Sequence, residues 1–135
     1  MKPWLRYLIA AVVAGHGFIY LNFSLGRLPA ALEGWRGISW VLGDAVTGDR
    51  LKRLALALHA VAGIGILASG IAMAFAPAAP RLWRPLAVAG SAVAILAFAA
   101  FWDGRAPRLV QQGAIGAVLS LLLLLGAIAL PQVLR

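Results

Sequence analysis

The 135-residue sequence holds two histidines, His16 and His59, and each lies inside a long apolar stretch. Near neutral pH an imidazole can donate or accept a hydrogen bond, pass on a proton or ligate a metal. An ionisable group within an apolar span marks a functional site by default, because placing it there costs free energy. His16 stands about 7 residues before its stretch ends near Phe23–Ser24, and His59 about 6 residues beyond Arg53, where the next stretch loses its charges. At ~1.5 Å per helical residue, both sit ~9–11 Å inside the same boundary.

Small neighbours surround both. Gly15 and Gly17 clear space beside His16, and Tyr20, one helical turn on, shares its face; Ala55, Ala62 and Gly63 share the face of His59. Such surfaces have three uses. Two helices can touch there, with each imidazole bonded to a backbone carbonyl or to the other histidine. The cleared space can accept a flat cofactor, haem b or a chlorophyll-type pigment, on a neutral imidazole as axial ligand. Proton handling or a polar ligand is the third. Matched depth on neighbouring helices suits a bis-histidine haem, whereas a pigment needs one histidine, so His16, His59 and Tyr20 are the candidate cofactor-binding residues. Zinc would be short of ligands, since no cysteine is present and no carboxylate lies within a span.

A second constellation is Trp102-Asp103-Gly104-Arg105, followed by Gln111-Gln112-Gly113-Ala114-Ile115-Gly116. On one reading Trp102 anchors at the membrane interface, Asp103-Gly104 makes a turn and Arg105 meets phosphate. On the other, Asp103 pairs with a cation such as Arg36 or Arg53 and fixes the last two helices under the first connection, while Gln111 and Gln112 begin a polar lining.

The elements that position these residues follow from composition. Hydrophobic residues make up 63% of the chain and charged residues 12%, with mean hydropathy +0.93. A soluble domain of this size cannot hide so much apolar surface, so lipid is the expected solvent. Four stretches reach the ~20 apolar residues a bilayer span needs, at about 4–23, 54–75, 82–102 and 109–130. The expected fold is all-α: a single transmembrane domain over residues 1–135, an integral membrane four-helix bundle with an interfacial helical connection between helices 1 and 2. The opening Met1–Arg6 resembles the start of a signal peptide, but its apolar run continues to Phe23 and is read as a retained helix.

Punctuation supports the division. Asp49 is a suitable N-cap for the second span, Pro77 and Pro80 end it, and Pro85 suits the first turn of the third. Gly104 can close the third, Pro107 open the fourth and Pro131 end it. Small-residue spacings such as Gly65-x3-Ser69, Gly90-x3-Ala94 and Gly113-x3-Ala117 allow close helix approach. The segment 28–46 is too apolar for water and too short to span, so it is expected to lie at the interface as helix. Trp35 and Trp40 would sit there at headgroup level, either as plain linker or as a lid over the bundle mouth.

Four spans put both termini and the loop 76–81 at one end of the bundle, side A, and the connection 24–53 and the turn 103–108 at the other, side B. Side A has five cations and no acid, whereas side B has seven cations and all four acids. The count of Lys and Arg tips towards both termini outside. The net charge of +8 is read as span-flanking cations meeting headgroups, and nucleic acid is not an expected partner, since no basic face or aromatic platform stands outside the membrane.

Gly15-His16-Gly17, together with Trp102-Asp103-Gly104-Arg105 and Gln112-Gly113-Ala114-Ile115-Gly116, resembles a group of small uncharacterised bacterial four-span proteins with a Trp-Asp-Gly-Lys/Arg turn. The layout is similar to that of the broader DoxX-like group. Members of the first group often carry a second histidine four residues after the first, where this chain has Tyr20. The resemblance covers about 15 residues. It implies the four-span fold and bacterial origin, hence a multi-pass protein of the inner (cytoplasmic) membrane, but no activity.

With no nucleophile–base spacing and no paired carboxylates, independent catalysis is not expected and no catalytic residue is assigned. No intramembrane carboxylate supports ion-coupled transport. Three functions remain: an accessory or stabilising subunit of a larger redox or photosynthetic membrane complex, a haem- or pigment-binding protein using His16 and His59, or a small-molecule or lipid carrier with a side-B cavity. The expected partners are the lipid bilayer and other membrane subunits or a second copy. Trp35, Trp40, Trp102, Asp103 and Arg105 are the candidate interface or lid residues.

Overall fold

Backbone N–H and C=O groups that side chains do not satisfy are paired within the chain, and stretches rich in Ala and Leu do so by winding into helices. The computed structural model describes residues 2–25, 37–75, 80–110 and 112–129. Among them are four helices, α1 (Pro3–Ser24), α2 (Gly48–Phe75), α3 (Pro80–Phe101) and α4 (Ala114–Ala129), with a 3-10 turn at Ala106–Arg108. There is no strand among the described residues, only an isolated bridge between Ser39 and Gly43. Three helices, α1 to α3, are long and apolar enough to cross a membrane. The fourth, at 16 residues, is apolar but shorter.

Successive helices pack antiparallel, and glycine sets the distance between α1 and α2 and between α2 and α3. A Cβ on Gly17 of α1 would lie 2.8 Å from the Gly63 carbonyl oxygen of α2, and one on Gly70 would lie 2.5 Å from the Ala14 nitrogen. Between α2 and α3, a Cβ on Gly90 would stand 2.8 Å from the Ile66 nitrogen. These backbones touch where no side chain intervenes, the small-residue packing that suits helices long and apolar enough to cross a membrane. The bundle is accordingly small inside and large outside. Its largest fully buried side chains are Leu51, Ile66 and the serines Ser69, Ser91 and Ser120, while Trp4, Val12, Phe18, Leu96 and Leu122 face outward.

Several boundaries differ from those expected. Helix α2 begins at Gly48, so Asp49 lies inside its first turn rather than capping it. The charges of Arg50, Lys52 and Arg53 set the apolar boundary there, not the helical one. Helix α3 begins at Pro80, which places Pro85 in its second turn. Helix α4 begins at Ala114 rather than Leu109, because the 3-10 turn and Gly113, at φ +103°, interrupt the backbone first. Gly113 therefore serves a turn and not a helix contact; in its place Gly116 takes the close approach, 3.0 Å from the Tyr20 hydroxyl to a would-be Cβ.

The connection between α1 and α2 is corrected in its described part. Residues 37–47 form turns, not an interfacial helix, because Gly37 and Gly43 adopt φ of +67° and +53°, outside helical backbone. Residues 28–36, with Trp35 and Arg36, lie outside the described residues, as do Pro77, Gln111 and Pro131. The turns dock on the end of α3, whose last carbonyls have no helical partner. The Ser39 hydroxyl donates to the Ala100 carbonyl, the Trp40 indole N–H donates to Ala99, and the Trp40 amide donates to Trp102 at 3.2 Å. Ser39 Oγ also accepts the Val41 and Leu42 amides, at 3.2 and 3.0 Å. One short segment thus caps a neighbouring helix and folds itself in doing so.

Candidate functional site

Four of the polar groups within the helices gather towards side B. From α1 come His16 and Tyr20, from α2 His59, and from α4 Ser120. His16 Nε2 lies 3.0 Å from Ser120 Oγ, and the Tyr20 hydroxyl lies 3.3 Å from the same oxygen. Ser120 is fully buried and Tyr20 is 8% exposed. A hydroxyl with one hydrogen and two lone pairs can serve both neighbours at once. The hydrogens run from Tyr20 through Ser120 to His16, or the reverse with the other imidazole tautomer.

This chain of bonds joins the first helix to the last. Backbone packing links α1 to α2, α2 to α3 and α3 to α4, whereas α1 and α4 meet chiefly through side chains. Gly116 makes the meeting feasible by leaving room for the Tyr20 ring. The glycines flanking His16 have separate roles. Gly17 is the contact with α2, and a Cβ on Gly15 would meet nothing within 4 Å, so only Gly15 stands beside open space.

His59 is held differently. Its Nδ1–H donates to the Ala55 carbonyl at 2.7 Å, which fixes the neutral tautomer and leaves Nε2 as a lone pair. Its ring packs in a tilted arrangement against Phe23, at 4.5 Å, and Tyr20, at 5.6 Å between centroids. His16 meets Tyr20 edge-on at 5.1 Å. The phenol therefore stands between the two imidazoles. Because Gly17 pairs with Gly63, His59 falls about one turn or more nearer side B than His16, and the equal depth obtained by counting residues does not hold. The two rings do not oppose one another as a bis-histidine clamp would.

The Trp102–Arg105 turn forms its own cluster at the side-B end. The side chain of Asp103 is fully buried, and it accepts the Arg105 backbone N–H at 3.2 Å, Arg105 Nε at 2.9 Å and Nη2 at 2.6 Å. Gln112 Oε1 accepts the Asp103 amide at 3.3 Å, tying the start of the α4 region to the end of α3. Burial alone would push the Asp103 carboxyl up. The Arg105 side chain, the Gln112 amide, the Arg105 backbone N–H and the guanidinium charge outweigh it and hold the group at about 2. The aspartate pairs with Arg105 within its own turn; Arg53 stands exposed on α2, and Arg36, the other cation expected beside it, lies outside the described residues. Gly104, at φ +80°, permits that turn. Trp102 packs edge-on against Trp40 at 6.0 Å, so two of the three expected interface tryptophans form one unit over the end of α3.

Sequence reasoning missed Ser120 and Ser39. Ser120 had a usable signal, being the single polar side chain between Ala114 and Ala129. No family model matches this chain, nor does any curated protein or solved structure.

Proposed function

We propose that this chain is a multi-pass protein of the bacterial inner membrane and serves as an accessory subunit that stabilises a larger membrane assembly, redox or photosynthetic in kind. One observation supports the reading: Ser39, Ser69, Asp103 and Ser120, four of the five buried polar residues among those described, bond within the fold itself. His16, Tyr20 and Ser120 clasp α1 to α4, the Ser69 hydroxyl donates to the Trp83 carbonyl between α2 and α3, and Asp103, Arg105 and Gln112 secure the last turn. What remains for other molecules is a broad apolar exterior, the surface through which membrane subunits meet. The resemblance to bacterial four-span proteins is part of this proposal, as is α4 completing a fourth span. The test is extraction of a tagged chain from its native membrane in mild detergent. Migration with larger partners is the expected result, and a monodisperse 14.1-kDa particle alone would overturn the reading. Cysteine labelling at Gly48 against Ala78 decides which side the termini occupy.

His59 favours a second reading. A histidine whose Nδ1–H is tied to a carbonyl presents Nε2 in the orientation of an axial ligand, here with no hydrogen-bond partner among the described residues. A single tetrapyrrole on His59, a haem b or a chlorophyll-type pigment, would give a Soret or pigment band in protein expressed with cofactor supply. A spectrum without one removes this reading.

A further inference from the structure

The side-A end of the bundle carries a different chemistry. Both α1 and α3 begin there, and Lys2, just before α1, with Arg6, Arg81 and Arg84 in the opening two turns of the helices, have no acidic residue beside them in sequence. The whole sequence has no Asp or Glu before Glu33, between Asp49 and Asp103, or after Asp103, so neither helix offers these cations a carboxylate from its own length. Cations at helix N-termini also oppose the helix dipole, which favours anions at that end. The arrangement is electrostatically one-sided.

Arg6 and Arg84 show what it lacks. Both are half-buried, and the Nε of each is buried without a hydrogen-bond partner among the described residues. A charged donor left unmatched out of water costs free energy. Both guanidiniums instead lie over aromatic rings, Arg6 at 4.8 Å from the centre of Tyr7 and Arg84 at 5.5 Å from Trp83. The C-terminal carbonyls of α2 and α4 face the same end, but neither Nε reaches one. Turning each fork onto a phosphate would satisfy Nε and one Nη together, the geometry for which arginine is suited.

We propose that this end binds anionic phospholipid, with Arg6 and Arg84 gripping headgroup phosphodiesters and Lys2 and Arg81 adding charge. The neighbourhood favours a lipid over a free anion: Trp4, Tyr7, Leu8, Leu82 and Phe75 all stand exposed beside the cations, where acyl chains and glycerol would lie. The selection is for phosphate with a net negative charge, so phosphatidylglycerol binds and phosphatidylcholine is passed over.

The full chain in nanodiscs of phosphatidylcholine, with and without phosphatidylglycerol, tests this by thermal melting and by native mass spectrometry of retained lipid. Retention of phosphatidylglycerol over phosphatidylcholine is expected to be roughly tenfold. R6Q/R84Q should bring it close to unity while melting as the parent does in phosphatidylcholine alone. R6K/R84K keeps the charge but removes both Nε donors, and should lose most of the preference. R53Q, at side B, should keep it. A full preference in R6Q/R84Q or in R6K/R84K, an equal loss in R53Q, or the same stabilisation from inorganic phosphate in phosphatidylcholine discs would each overturn the proposal.

Discussion

At the scale of single residues, Ser120 matters more than its size suggests, because one oxygen serves His16 and Tyr20 together. Replacing it by alanine leaves both groups without that partner. S120A is expected to lower stability by about 0.5–1.5 kcal/mol, the range for interhelical hydrogen bonds in membranes. A double-mutant cycle with Y20F in detergent unfolding should recover a coupling of that sign, and strict additivity would show that the bond carries nothing. Asp103 gives a pH signature. Its carboxyl sits at about 2 against an ordinary 3.8, so the ionised form adds stability above about pH 4 that is lost as pH falls through 2. Melting temperature should decline over that window in the parent and stay flatter in D103N, which at neutral pH should already be destabilised. The histidines and Tyr20 were legible in the sequence because polar groups stand out in apolar runs. Ser120 stood out in the same way, but its pairing with them did not, since that pairing and the depth of His59 depend on how the helices cross.

At the scale of elements, the glycines separate into those that hold helices together and those that do not. G17A should force α1 away from α2 and cost about 1–3 kcal/mol, the usual penalty for overpacking, whereas G15A, facing open space, should be near neutral. Unfolding midpoints of the two variants check this, and equal effects would refute the assigned contact. The docked turn is equally specific. S39A removes the acceptor for the Val41 and Leu42 amides, which should then exchange with deuterium faster while α2 stays protected. Helix number and order were readable from apolar length and from proline. Helix ends were not: charges at Arg50 to Arg53 mask a helix that continues through them, and Gly113 breaks one that hydropathy alone would extend. The segment around Trp40 was apolar for a reason that composition does not express, since Ser39 and Trp40 supply donors to carbonyls some 60 residues away.

At the scale of the whole molecule, an all-helical architecture followed from composition, while the way the ring of helices closes did not. The clasp between α1 and α4 joins His16 to a residue 104 positions later. Its consequence is temporal. The glycine contacts can form as each hairpin leaves the ribosome, but the phenol and imidazole of the first helix wait for the last helix to be synthesised. A stalled-ribosome force measurement should therefore show a late pull as Ser120 comes within reach of His16 and Tyr20, reduced in S120A. An identical profile in that variant would mean that the ring closes by other means.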